Sequence, residues 1–382
     1  MRLEKILIIN PFGVGDVIFT SPLIRRLRKQ FKSSFIAYLC NGRVAPLLAE
    51  NKNINKLYVF DKDDYRIIWR RSRPGTPWHG KFRLQALKKL LIFLKTIKSE
   101  KFDVAIDLSL GHQYAFFLML FGVRARIGYN FKGRGRFFTH KIDIDGYHDK
   151  HIVEYYLDLL QVSPLTHSLS PMGRGIKGEG ARDDYAKLEI FIPQKDLDWA
   201  DDFLKNNGIT ANERLLAVIP GGGASWGKAA IYKQWPPENF AQAADELSQR
   251  YNMKVILLGS AGDAPACDIV SRSMRNRPVS ACGLTNLLQF AALMKRCKLA
   301  LCNDGGPLHI AVALGINTVS VFGTVDDVVY GPYPASEKHI VIKEDINCRP
   351  CYKGFKFKEC DNRLCLLNIK PLDIVKSAEK LL

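Results

Sequence analysis

Short apolar runs alternate with amphipathic stretches in two separate blocks of this chain. In the first block, Ile6–Ile9, Phe35–Leu39, Leu57–Phe60 and Val104–Leu108 predict strands, with helical patterns at about 17–31, 43–50, 83–98 and 113–121. The first helical pattern is clear: Val17, Thr20, Ile24, Leu27 and Phe31 share one face, and Arg25, Arg26, Arg28 and Lys29 occupy the others. In the second block, Leu215–Ile219, Lys254–Leu258, Leu299–Cys302 and Thr318–Phe322 each run into glycine, at Gly221-Gly222-Gly223, Gly259, Gly305-Gly306 and Gly323. Strands alternating with helices predict parallel sheets covered on both faces. Ligands bind such sheets at the carboxyl ends of the strands. The expected fold class is therefore α/β, with two Rossmann-like domains facing a central cleft.

Between the blocks, Ser163 to Asp184 is rich in Ser, Pro and Gly and has no periodicity, which reads as a flexible insertion. The expected division is 1–162, the insertion 163–184, a second domain 185–345, and a cysteine-rich segment with a C-terminal helix over 346–382. That last helix shows periodicity through Leu372, Val375, Leu381 and Leu382. A chain of 382 residues is long enough for two cores. No apolar run approaches the ~20 residues that span a bilayer. The longest, Tyr114 to Val123, reads as a buried helix, and the start of the chain leads into a strand without a signal-peptide pattern. A cytoplasmic protein is expected.

Charge changes this picture. The formal net charge is +18, and eleven Lys or Arg lie from Arg66 to Lys101 against the single acid Glu100, with Trp69, Trp78 and Phe82 among them. Such a stretch is either a solvated basic face or a surface that meets anionic lipid headgroups. No helix-turn-helix or aromatic nucleic-acid motif accompanies the charge, so nucleic acid is not expected. Of nine cysteines, Cys348, Cys351, Cys360 and Cys365 crowd together at a spacing that suits a tetrahedral structural zinc. Four free thiols in a loop are the alternative.

The candidate chemistry lies in the loops. Asn303-Asp304-Gly305-Gly306-Pro307-Leu308-His309 follows a buried strand and opens a helix, whose unpaired N–H groups and dipole suit a diphosphate. Asp304 is then expected to hold backbone or a ligand hydroxyl, and His309 to contact a phosphate oxygen or the loop. Gly222, Gly223 and Ser225 form a second small-residue loop, and Lys233 beside it would neutralise a leaving diphosphate. Near the amino terminus, Gly13 and Gly15 lack the third glycine of a dinucleotide fingerprint, so a nicotinamide cofactor is not expected. Asp16 stands at a helix start, either as an N-cap or as a general base aimed at the ligand. Asp143-Ile144-Asp145 reads as an exposed strand face.

This combination resembles the lipopolysaccharide heptosyltransferases, the ADP-heptose-using family 9 glycosyltransferases of GT-B architecture. The resemblance rests on Gly15-Asp16-Val17-Ile18 with Thr20-Ser21-Pro22-Leu23, on Pro220-Gly221-x-x-x-Ser225 and on Lys233-x-Trp235-Pro236-Pro237. It continues through Asn303-Asp304-x-Gly306-Pro307-x-His309, Phe322-Gly323-Thr324 and Gly331-Pro332-Tyr333. It implies inverting transfer of heptose to the lipopolysaccharide inner core. Asp16 would be the base, and Gly15, Gly222, Gly223, Ser225, Lys233, Asp304, Gly305, Gly306 and His309 the donor-binding set. No cofactor would be required for catalysis. The first domain would bind the phosphorylated acceptor, the second the nucleotide-sugar, and the final helix would return to the first domain. The enzyme would sit peripherally on the anionic inner membrane. Gly305 stands where the family usually carries Ser or Thr, which keeps a different nucleotide-activated sugar as an alternative. A non-catalytic nucleotide- or nucleic-acid-binding protein is the reading from another class.

Overall fold

The computed structural model describes residues 3–61, 64, 79–162, 165 and 187–382, leaving aside the side chains of 79–83, 224, 225 and 228. The chain divides into two compact units. One comprises Met1–Phe12, Leu23–Asp145 and Tyr156–Lys177; the other comprises Gly13–Pro22, Gly146–Tyr155 and Gly178–Leu382. Two short segments of the amino-terminal half, one of them carrying Asp16, therefore belong to the second unit. The insertion 163–184, apart from Leu165, lies outside the described residues, as do Trp69 and Trp78.

The first unit holds β1 (Lys5–Ile9), β2 (Phe35–Cys40), β3 (Lys56–Val59), β4 (Val104–Asp107), β5 (Ala125–Phe131) and β6 (His140–Ile144). They form one sheet in the order β3-β2-β1-β4-β5-β6, and every pairing is parallel. Both faces of β1 and β2 are buried, which is why these strands read as unbroken apolar runs. On one face, Leu7, Ile9, Ala37 and Leu39 pack with Ile97 of the helix His79–Glu100 and Leu118 of the helix Gln113–Leu120. On β6, Asp143 is exposed and accepts a hydrogen bond from Asn130 Nδ2 at 2.6 Å, so this acid belongs to a strand face.

Two helix expectations change. The expected helix over 17–31 is two helices, Val14–Ile18 and Ser21–Gln30. Between them the hydroxyls of Thr20 and Ser21 donate back to the carbonyls of Val17 and Ile18 at 2.6 and 2.7 Å, and Pro22 has no N–H to continue the ladder. The run from Tyr114 to Val123 is not a buried helix. Ala115 and Leu118 face the sheet, whereas Phe116, Met119 and Leu120 are exposed on the outer side.

The second unit repeats the topology. Its strands are β7 (Arg214–Ile219), β8 (Met253–Leu257), β9 (Val279–Ser280), β10 (Leu299–Asn303), β11 (Asn317–Phe322) and β12 (His339–Lys343), in the order β12-β11-β10-β7-β8-β9. All pairings are again parallel. Counted from the first strand of each unit, both sheets have the doubly wound order 3-2-1-4-5-6. The point where that order reverses lies between β7 and β10. There Asn303 is buried and bridges the strand ends: its Nδ2 donates to the carbonyls of Pro220 and Gly221 at 3.0 and 3.1 Å, and its Oδ1 accepts from the N–H of Trp235 at 3.0 Å.

The C-terminal helix Pro371–Glu379 packs within the second unit, contrary to the expectation that it returns to the first. Ile374, Val375 and Ala378 join the core with Leu247, Val319 and Val321, and Leu372 is exposed. Asn317 Nδ2 donates to the Leu381 carbonyl at 2.7 Å, closing the end of the chain onto β11. Among the described residues, no helix is long and apolar enough to cross a membrane.

Candidate active site

The site forms where the helices Val14–Ile18 and Gly306–Ala313 meet in the second unit. Their close approach depends on two glycines. A Cβ on Gly15 would lie 2.8 Å from His309 Cδ2, and one on Gly306 would lie 2.9 Å from Val14 Cβ. These two candidates thus have a packing role whatever else they do: they let one helix start sit against the other. Gly13 is the N-cap of the first helix. Asp16 is its third residue rather than the cap, and its Oδ2 accepts the Gly13 N–H at 3.2 Å.

Burial is the dominant influence on Asp16 and raises its carboxyl pKa to about 6. The N–H groups of Gly13 and of Asp16 itself, and the charge of Lys233, oppose that rise, and Asp304 adds to it. A carboxyl poised near neutrality, with a cation within electrostatic reach, is equipped to take a proton from a hydroxyl.

Lys233 ends the irregular stretch Ala224–Lys233, just before the helix Pro237–Tyr251. Its Nζ lies 2.6 Å from Asp304 Oδ2, and the two side chains are only 7% and 5% exposed. Asp304 therefore holds the lysine, which the sequence did not predict. The ammonium also sits 4.7 Å over the ring of Trp226. Gly305, the N-cap of the helix Gly306–Ala313, has φ 153° and ψ −173°, a conformation that side-chain-bearing residues rarely adopt. The absence of a side chain at Gly305 thus suits this backbone. Gly223 has φ 87°, and no atom of the described residues lies near where its Cβ would be, whereas a Cβ on Gly222 would clash with the Ala230 carbonyl oxygen. Ser225 lies in the same stretch, but its side chain is outside the described part.

His309 is buried one turn into its helix, with Phe19 at 4.3 Å between ring centroids. Burial, helped by the nearby His151 and Lys233, holds its pKa well below the ordinary histidine value, so the ring is neutral at pH 7. Its Nδ1 has no hydrogen-bond partner among the described residues.

Residues 90–360, more than half of the chain, match the family model "Glycosyltransferase family 9 (heptosyltransferase)". The chain belongs to glycosyltransferase family 9. It is 24% identical over 331 residues to lipopolysaccharide heptosyltransferase 3 of Escherichia coli K12, covering 84% of this chain and 82% of that protein. The crystal structure of a family 9 glycosyl transferase from Veillonella parvula aligns over 100% of this chain and 98% of its own, with TM-score 0.75 and 24% identity. The E. coli ADP-heptose lps heptosyltransferase II aligns over 99% and 98%, with TM-score 0.70 and 20% identity. Both likenesses show the same two-sheet α/β fold, the GT-B architecture.

Several residues of this family 9 site carried no signal in the sequence. His151 stacks on Tyr333 at 4.5 Å and meets Phe19 edge-on at 5.0 Å. Its Nδ1 accepts the Val153 N–H at 3.2 Å, which leaves Nε2–H to donate to the Gly331 carbonyl at 3.1 Å. Burial lowers its pKa to about 4. Burial also raises the phenol of Tyr352 to about 12, with Asp16 and Asp304 contributing. Only the Gly331-Pro332-Tyr333 motif hinted at this cluster.

The four cysteines expected to suit a zinc ion lie in one part of the cysteine-rich segment. Cys365 is buried, Cys351 and Cys360 are half-buried and Cys348 is exposed. They share a neighbourhood: burial raises the Cys365 thiol to about 11, and the other three cysteines push the same way. Yet among the described residues no three His, Cys, Asp or Glu side chains are arranged to hold a metal ion. Cys360 Sγ accepts the Arg363 N–H at 3.3 Å, and the Cys351 thiol faces the Thr324 carbonyl at 3.9 Å. Two of the four thiols thus have main-chain partners.

Proposed function

We propose that the enzyme transfers heptose from ADP-heptose to a hydroxyl of the phosphorylated lipopolysaccharide inner core, with inversion at the anomeric carbon. The observation that carries this reading is Asp16, with its pKa near 6, held at the same place as the Lys233–Asp304 pair and the start of the helix Gly306–Ala313. In the reaction the Asp16 carboxylate takes the proton of the acceptor hydroxyl. That oxygen bonds to the anomeric carbon from the face opposite the diphosphate. The bond from the anomeric carbon to the phosphate oxygen breaks, and its electron pair leaves with ADP. Lys233 and the N–H groups of Gly305, Gly306 and the Gly223 turn balance the charge that develops. The relatives' names supply the donor and acceptor; the family and the loops supply the reaction class.

Gly305 is the observation that favours a second donor, because its backbone leaves no hydroxyl where one would contact the ligand. A donor panel decides between them. With heptose-deficient lipopolysaccharide as acceptor, ADP-heptose should be turned over at least tenfold faster than other ADP- or UDP-sugars. Preference for another sugar would reassign the donor and leave the family unchanged.

An anionic membrane surface is the proposed site of work, at the cytoplasmic face. On the helix His79–Glu100, Ala86 and Ile97 face inward, and Leu84, Leu87, Leu91 and Ile92 recur on the opposite side. These four are 55%, 40%, 56% and 66% exposed. Lys88, Lys95 and Lys98 share that outward face by helical spacing. Apolar side chains interleaved with lysines suit the boundary between headgroups and acyl chains. Vesicles with anionic phospholipid should sediment the protein at low salt and release much of it at high salt. Equal binding to neutral vesicles would remove the electrostatic part of this reading.

The cysteine quartet enters as a structural element only. Stoichiometric zinc in purified protein would show the thiolates converging on a metal, and zinc-free protein with four titratable thiols there would assign them as free.

A further inference from the structure

The cysteine-rich segment is strongly anchored, although the proposed reaction gives it no part. The N–H groups of Cys351 and Tyr352 both donate to the Thr324 carbonyl at 3.1 Å. The Arg349 guanidinium donates to the carbonyls of Gly323 and Val325 at 2.5 and 3.3 Å. These contacts tie the segment to the loop that follows β11, at the carboxyl end of the sheet. From there it presents two rings to the Ala224–Lys233 stretch. Tyr352 lies 5.1 Å from Trp226, and Phe357 lies 5.6 Å from Trp226 and 4.7 Å from Tyr232.

Trp226 needs such support. Its own stretch is irregular, broken by Gly227 at φ 53°, so no regular helix fixes the indole. The indole in turn carries the Lys233 ammonium 4.7 Å from its centroid. Lys233 therefore has a carboxylate on one side, Asp304, and an aromatic face on another. A cation over a tryptophan face is held most firmly where water is excluded, and the side chain of Lys233 is only 7% exposed.

We propose that the cysteine-rich segment positions the cation of the active site: Tyr352 and Phe357 hold the Trp226 ring, and that ring holds the Lys233 ammonium beside Asp304. Trp226, Tyr352 and Phe357 are positioning residues, acting through Lys233. The inference deepens the proposed function and rests on its assignment of Lys233 to the diphosphate.

The test uses ADP as probe, with the full-length protein and calorimetric binding, so that it does not depend on the sugar or the acceptor. Trp226→Leu should weaken ADP binding about tenfold, whereas Trp226→Phe, which keeps a π face, should retain most of the affinity. Phe357→Leu should fall between them. A purely structural role would lower the melting temperature without separating Leu from Phe at position 226. Should Trp226→Leu fold poorly, a cycle with Lys233→Met decides: Phe357→Leu should have no further effect on ADP binding once the ammonium is gone. Undiminished ADP binding by Trp226→Leu, or an unchanged Phe357→Leu effect in the Lys233→Met background, overturns the inference. Failure of the wild-type protein to bind ADP at all would instead overturn the donor reading.

Discussion

The two units share a sheet order but use their strand ends differently. In the first unit, polar side chains at the carboxyl ends tie down the neighbouring backbone. Asn41 Nδ2 donates to the carbonyls of Pro11 and Phe12 at 3.2 and 2.5 Å, and Asp107 Oδ1 accepts the Ser109 N–H at 2.8 Å. In the second unit, the corresponding loops hold a left-handed glycine turn at Gly223, a glycine-only backbone at Gly305 and the buried Lys233–Asp304 pair. One topology thus serves two ends: loops tied to their own backbone and an exposed apolar-basic helix in one unit, and glycine loops around a buried cation in the other.

The largest break in this contrast comes from Asp16. Asp16→Asn should lower kcat by about 10²–10⁴ while ADP binding is kept. It should also raise thermal stability above pH 6. The folded carboxyl titrates near 6 and the unfolded one near 3.8, so the native state binds more protons over that window. Wild-type stability therefore declines as pH rises from about 4 to 6, and the variant escapes that loss. Thermal melts at pH 4.5 and 7.5 read the difference.

Next comes the buried pair. Lys233→Met leaves Asp304 without its cation and should cost about 3–5 kcal/mol in chemical denaturation. Adding Asp304→Asn should restore much of the stability while ADP binding stays as weak, though measurable, as in Lys233→Met alone. A smaller effect is expected at Gly305. Gly305→Ser must place a side chain at φ 153° and should lose about 1–3 kcal/mol, with weaker ADP binding rather than a recovered hydroxyl contact. The smallest effect on the chemistry is expected in the first unit. Leu91→Glu with Ile92→Glu should abolish vesicle sedimentation and leave turnover of a soluble, truncated acceptor within about twofold, because exposed side chains away from the site shift stability by only ~0.5 kcal/mol.

Most of both sheets was legible because strands covered on two faces, such as Ile6–Ile9 and Leu299–Cys302, read as unbroken apolar runs. β5, β9 and β12 were not: Arg126 and Asn130 interrupt β5, β9 has two residues and β12 is only half-buried, while β6 showed only through the alternation around Asp143. The loops were legible through glycines at strand ends, and the structure gathers Asp16, Lys233, Asp304 and His309 in one unit. Their pairing was not. The Lys233–Asp304 contact joins residues far apart in sequence, and the Gly15–His309 approach exists only once two helices pack. Trp226 and Tyr352 left no trace because aromatic residues in irregular segments have no period to betray them. The split of the helix over 17–31 was hidden for a related reason: the apolar face continues through Thr20 and Ser21, and only their back-bonded hydroxyls and Pro22 show the break.

The central claim is that Asp16 is the base of a family 9 transfer reaction. The most direct measurement is the pH dependence of kcat/KM for acceptor-dependent ADP release, wild type against Asp16→Asn. The account predicts a wild-type limb rising through about pH 6 and a variant with little activity and no such limb. A variant that keeps wild-type turnover, or the same limb near pH 6 in both proteins, would contradict it.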